Sequence, residues 1–221
     1  MRNMTKRRRA LINSYDKSSL PEEYQEVAWL RGTGSQYCTL PYGLGYHDGH
    51  FFGIIGNVEA LDASRYSELW ITSSDGIPSQ ALYYHRWGAT LQYGDISVGV
   101  YPDWQSMGYD VLSYAFEMNS NNIIINDNIT IPQYPQNSGG SSTYIGAGLG
   151  QNNSLVVHNN NVTIKSIKIT KDDVIIYELI PCYRKTDNKA GFFYWIDYEQ
   201  GTSGFLTNNA AGNDFLIGPI V

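Results

Sequence analysis

Long apolar runs are missing from this sequence: no stretch approaches 18 uninterrupted apolar residues, which excludes a membrane-spanning helix. Charge is also sparse, at 16% of 221 residues, and the good helix formers Ala, Lys, Glu and Arg are thin over long stretches. No apolar pattern with a 3.6-residue period extends for any length, which argues against a helical protein. There are two cysteines, Cys38 and Cys182, without CxxC spacing or neighbouring histidines. That excludes a disulfide scaffold and a zinc ribbon, and each thiol is expected as a small hydrophobe at a half-buried strand position. A bridge between them would need their strands to be neighbours. Glycines 43, 45 and 49 lack phosphate-loop spacing and precede no helical pattern, so nucleotide binding is excluded.

What is present is a core's worth of apolar residues (42%), 22 glycines, and 18 Tyr plus 5 Trp against 7 Phe. Disorder over most of the chain is excluded, and the mixture of strand and turn formers points to an all-β fold. The length suits one sandwich. Charge is unevenly placed. Arg2, Lys6, Arg7, Arg8, Arg9 and Lys17 face only Asp16 in residues 1–17, a net of +5, and the remainder carries −11. No apolar segment of signal-peptide length follows the basic opening, because Asn13, Ser14, Asp16 and Lys17 interrupt it. Residues 1–19 therefore read as a basic arm and 20–221 as the folded body. In the arm, Lys6, Arg7, Arg8 and Arg9 would steer toward an acidic partner, and Leu11 and Ile12 would seat the contact. The plain alternative is a loose terminus with no task. The acidic body has no basic stripe, which argues against a nucleic-acid-binding domain.

Strand signals recur along the body. YQEVAWL (24–30) ends in a turn cluster, Arg31-Gly32-Thr33-Gly34, and SQYCTL (35–40) follows. FFGIIGNV (51–58) and YSELWITS (66–73) come next, the latter alternating Leu69 and Ile71 against Glu68, Trp70 and Thr72. Residues 81–104 are dense in aromatics and cut by glycines, so they predict short strands with tight connections. Two hairpins are legible, one around Asn126-Asp127-Asn128 and one around Lys171-Asp172-Asp173. Val162 and Ile164 share one parity while Ile167 and Ile169 share the other, so a β-bulge at Lys165-Ser166 is predicted to return all four to one face. The architecture expected is a two-sheet antiparallel sandwich.

The chemistry of an enzyme is hard to find. Asp197 and Glu199 lie two apart on a predicted strand, hence on one face and about 6.5–7 Å apart, a permissible spacing for a glycosidase pair. A structural role is the simpler reading for them, and Glu59 with Asp62 is weaker still. His47, His50, His85 and His158 sit in no Ser or Cys elbow. His47-x-x-His50 offers two metal-capable side chains without a third, so a loop turn accounts for it better. No Asp-x-Asp-x-Asp run marks a calcium loop, and Asn161-Val162-Thr163 is a sequon match of the kind an Asn-rich chain produces by chance. Binding remains. Tyr83, Trp87, Tyr93, Tyr101 and Trp104 fall in a short aromatic stretch, and amphipathic rings stack on sugar C–H faces. The competing reading puts these rings in the core or at a subunit interface.

LPEEYQEVAWLRGTGSQYCTL (20–40) resembles the opening of a jelly-roll family related to concanavalin A-like and laminin-G-like sandwiches, found in proteins of gut bacteria and their phages. IKSIKITKDDVIIYELIPCYRKTDNKAGFFYWIDYEQGTSGFLTNNAAGNDFLIGP (164–219) resembles its ending, and the hairpin at 123–131 sits where the family places its own. Cys38 departs from the usual aliphatic residue, and the aromatic middle has no counterpart. The resemblance implies a jelly roll whose first and last strands lie side by side. It implies a non-enzymatic phage virion protein, displayed on capsid or tail and contacting host surface glycans, with other virion proteins as partners through the arm. A homo-oligomer is compatible with it. Calcium is compatible too, without a motif here, so no cofactor is expected. The strand-borne Glu-x-Asp-x-x-Glu arrangement of laminarinase-like jelly rolls is absent. The rivals are a glycoside hydrolase of the same fold and an extracellular bacterial surface adhesin, the latter normally made with a signal peptide.

Overall fold

Strand-forming runs interrupted by Gly, Asn and Asp produce an all-β chain whose strands pair antiparallel. The computed structural model describes residues 20–41, 52–60, 68–74, 78–85, 88–93, 96–100, 113–118, 122–125, 129–132, 142–149, 154–157, 159–171, 174–196 and 203–221. Among these described residues there is no helix. The chain begins with β1 (Tyr24–Glu26), β2 (Leu30–Thr33) and β3 (Cys38–Thr39). After β4 (Phe52–Ala60) and β5 (Glu68–Ser74) comes a meander of β6 (Pro78–His85), β7 (Gly88–Tyr93) and β8 (Ile96–Val100). A second meander holds β9 (Ser113–Met118), β10 (Asn122–Ile125) and β11 (Ile129–Pro132). Then follow β12 (Ser142–Ile145), β13 (Ala147–Leu149) and β14 (Leu155–Val157). The two longest strands, β15 (Asn159–Lys171) and β16 (Val174–Arg184), precede β17 (Ala190–Ile196), β18 (Ser203–Thr207) and β19 (Leu216–Ile217). β13 and β14 form a separate ribbon, and the other strands are linked through shared pairings.

β15 organises the fold because both of its edges are occupied along its length. Asn160 pairs with Thr33 on one side and Glu68 on the other, and further along Ile167 pairs with Leu179 and Gly56. Against β4, Ile164 is opposite Val58 and Ser166 opposite Asn57, so Lys165 is the extra residue of a bulge. The bulge falls where the parity change predicted it. As a result Val162, Ile164, Ile167 and Ile169 are all 0% exposed, while Lys165 turns out to an ion pair with Glu59 at 2.6 Å. The 123–131 hairpin pairs Ile125 with Ile129. In the other hairpin Lys171 pairs with Val174, so the strand runs one residue further than the turn residues suggested.

Both ends of the body close on each other. β19 pairs with β2, placing Leu216 opposite Arg31 and Ile217 opposite Leu30. The contact continues through Gly218 N–H to Trp29 C=O, Ala28 N–H to Pro219 C=O, and a bridge between Val27 and Ile220. β1 lies on β16 with Tyr24 opposite Arg184. One sequence expectation changes here: Arg31, Gly32 and Thr33 are strand rather than turn, and the bend is confined to Gly34 and Ser35. Gly32 is buried where a Cβ would run into the side chain and carbonyl of Asn159. Its role is close approach of β2 to β15, not a positive φ; Gly34, at φ 110°, supplies the turn. Of SQYCTL, only Cys38 and Thr39 are strand, because Gln36 is diverted into side-chain bonding.

Buried Gln36 ties this corner together. Its Oε1 accepts from Thr33 N–H at 2.7 Å and Ser35 N–H at 3.3 Å, and its Nε2 donates to Thr33 Oγ1 at 2.9 Å and Asn213 C=O at 3.0 Å. Asn159 Nδ2 donates to the Gln36 carbonyl at 3.0 Å. Asn208 Oδ1 accepts from Tyr37 N–H, and Asp214 Oδ2 accepts from Ala190 N–H. The two segments that carry the family resemblance thus bond directly to one another.

Candidate functional site

Alternation along β16 and β17 assigns their side chains to two faces. Tyr177, Leu179 and Phe192 are buried with Ile167 and Ile169, and Phe192 meets Phe215 edge-on at 5.9 Å. The opposite face carries a row set by register: Lys168 opposite Glu178, Glu178 opposite Trp195, and Trp195 opposite Ser203. Beside it lies a second row, Ile180 opposite Phe193 opposite Phe205. Tyr24 lies 5.0 Å from both Phe193 and Phe205, and Trp195 meets Phe193 edge-on at 5.1 Å. Phe193 is only 2% exposed although it faces away from the main core, whereas Trp195 is 36% exposed. The result is an aromatic cluster, held from below and beside, that presents one indole outward.

Polar groups frame the cluster. Lys168 Nζ and Glu178 Oε1 are 2.8 Å apart, with 34% and 19% of their side chains exposed. At the other end the Arg184 guanidinium lies over the Phe205 ring, 5.5 Å from its centroid, and grips Asp187 through two hydrogen bonds of 2.6 and 3.1 Å. That grip holds the Asp187 carboxyl down at about 2 and raises Arg184 further. Tyr24 is raised by burial first and by neighbouring Glu23 second. Cys182, buried on this same face, is free, and burial pushes its thiol up to about 12. Cys38 is free and buried too; burial raises its thiol, and Sγ donates to Thr207 C=O at 3.4 Å. Both cysteines are more buried than a half-buried strand position.

Of the residues picked for binding, Tyr83 lies in β6 opposite Trp70 and Thr90, and Tyr93 lies in β7 opposite Gln80 and Ile96. Their side chains, and Trp87, Tyr101 and Trp104, lie outside the described residues. So do the arm residues Lys6, Arg7, Arg8, Arg9, Leu11 and Ile12, and Asp62, Asp197, Glu199, His47, His50, His158 and Asn126–Asn128. Glu59 is occupied by Lys165, and its carbonyl accepts from Thr163 Oγ1. Among the described residues no group of three or more His, Cys, Asp or Glu could hold a metal ion. The cluster of Tyr24, Phe193, Trp195 and Phe205 escaped the sequence reading. Its signal was the period-two split of Phe192 and Tyr194 from Phe193 and Trp195, but only the fold tells which parity faces outward.

Compared with known proteins, the chain matches no family model and no curated protein.

Proposed function

We propose that this chain is a non-enzymatic phage virion protein, a structural and adhesion module on the surface of the capsid or tail. Its body, 20–221, would be a two-sheet jelly roll of the concanavalin A-like and laminin-G-like kind. Its arm, 1–19, would anchor it to other virion proteins: Lys6 to Arg9 supply the steering charge, and Leu11 and Ile12 the seat. The jelly-roll assignment draws support from the pairing of β19 with β2 and the bridge from Val27 to Ile220, since the resemblance implies adjacent first and last strands. The adhesion assignment is carried by one observation, the aromatic cluster on the non-core face of β16–β18 with Trp195 turned outward. An exposed indole backed by buried rings offers a rigid, amphipathic contact surface of the kind recognition uses.

Adhesion and hydrolysis separate in one assay. Incubated with dextran, mannan and β-glucan, the full chain should retain polysaccharide and release no reducing ends. Turnover that is abolished by Asp197→Asn or Glu199→Gln, in a variant that still folds, would replace this reading with a glycoside hydrolase.

A further inference from the structure

We infer that the row Lys168, Glu178, Trp195 and Ser203 is a platform for an uncharged sugar ring, recognised through a vicinal diol. The inference rests on the adhesion reading and names its site. Register puts the four residues side by side on one face of four hydrogen-bonded strands, β15 to β18. At about 4.8 Å per strand the row spans about 14 Å, enough for more than one sugar ring. Its backbone is fixed by ladders on both sides of β16 and β17, so the ligand does not have to order a loop.

The chemistry along the row alternates in the way such a ligand requires. The exposed part of Trp195 offers an apolar surface to the C–H face of a pyranose, and Phe193 behind it, clasped by Tyr24 and Phe205, holds the indole in place. Next to it, an ammonium and a carboxylate lie 2.8 Å apart. Two hydroxyls on adjacent ring carbons match that pair: one oxygen accepts from Lys168 Nζ while its neighbour donates to a Glu178 oxygen. Hydrogen bonds to charged groups exceed neutral ones in strength, and the modest exposure of Glu178 limits competition from water. Within the row the Lys168 and Glu178 charges balance each other, which favours an uncharged ring over a phosphate, a sulfate or an acidic sugar. Ser203 adds a hydroxyl on the far side of the indole.

The test uses the full chain with fluorescein-labelled dextran and mannan, each before and after periodate cleavage of its vicinal diols and borohydride reduction. Retention of at least one intact polymer is expected, with loss after periodate. Trp195→Ala should weaken retention about tenfold, Trp195→Tyr should restore most of it, and Glu178→Gln should weaken it by a similar factor. Lys189→Ala, exposed and off the row, serves as control, and circular dichroism checks that every variant is folded. If the polymers bind but Trp195→Ala binds equally well, the platform is wrong while adhesion survives on another surface. If periodate-treated polymer binds as well as intact polymer, recognition of the diol is wrong. If neither intact polymer is retained, the platform and the adhesion reading both fall.

Discussion

Replacing Gln36 with Met keeps the length and bulk of a buried side chain and removes all of its hydrogen bonds. The contacts that disappear are those accepted from the Thr33 and Ser35 N–H groups, those with Thr33 Oγ1, and those donated to the Asn213 and Asp214 carbonyls. The Thr33 hydroxyl and the long Ser35 contact can turn to water, since both residues are exposed. The Thr33 N–H loses its best partner, whereas the exposed Asn213 C=O keeps Asn208 Nδ2 at 3.1 Å. A buried group left unpaired costs about 1–3 kcal/mol, and partial access to water favours the lower half of that range. The expected loss is about 1–2 kcal/mol, which for a chain of this size is about 2–8 °C in Tm. Urea unfolding followed by tryptophan fluorescence and by circular dichroism measures it. Gln36→Glu should cost at least as much as Gln36→Met at neutral pH, because its carboxylate would be buried and set against the Asn213 and Asp214 carbonyls. A loss below about 0.5 kcal/mol for Gln36→Met would refute the clamp and leave closure of the chain ends to the β2–β19 pairing and the backbone contacts around it.

Phe193→Ala should cost about 3–5 kcal/mol in urea unfolding, since the ring is buried among Tyr24, Phe205 and Trp195, while Trp195→Ala should cost about 1 kcal/mol. Gly32→Ala should destabilise by at least about 1–3 kcal/mol, because its Cβ meets Asn159 on the neighbouring strand; an unchanged melting temperature would contradict the close approach of β2 to β15. Both thiols should resist a disulfide-exchange reagent in the native protein and react only as fast as it unfolds. The Cys182 thiol ionises near 9.0 when unfolded and near 12 when folded, so stability from this group is full below pH 9 and declines as pH rises toward 12. Asp187 works in the opposite direction: its contribution is present above pH 3.8, is lost as pH falls toward 2, and should vanish from the pH profile in Asp187→Asn.

Features written locally in the sequence were legible. The bulge at Lys165 followed from a parity change inside VTIKSIKIT, because four β-branched residues can share a core face only if one residue is inserted. The Asn126–Asn128 and Asp172-Asp173 hairpins followed from turn residues between β-branched runs. Features that depend on which strands meet were not legible. Gly32 and Gly34 look alike in RGTG, yet one is needed for contact with Asn159 and the other for its φ. Phe192 and Phe193 are adjacent and chemically identical; one joins the core, and the other is covered only because Tyr24 and Phe205 arrive from distant strands. The aromatic stretch from Tyr83 to Trp104 is conspicuous in the sequence through density alone, whereas the cluster around Trp195 is made of rings dispersed from Tyr24 to Phe205.

The protein is proposed to be a component of a phage particle, held there by its basic arm. The most direct measurement is to band particles from lysates of cells that encode it on a density gradient and quantify the chain in each fraction, as the full sequence and as a chain beginning at Ser18. The full chain should co-band with capsid and tail proteins, and the shortened chain, still folded, should stay at the top of the gradient. A full chain that remains among the soluble proteins would contradict the virion assignment, and a shortened chain that bands with the particle would contradict the anchor.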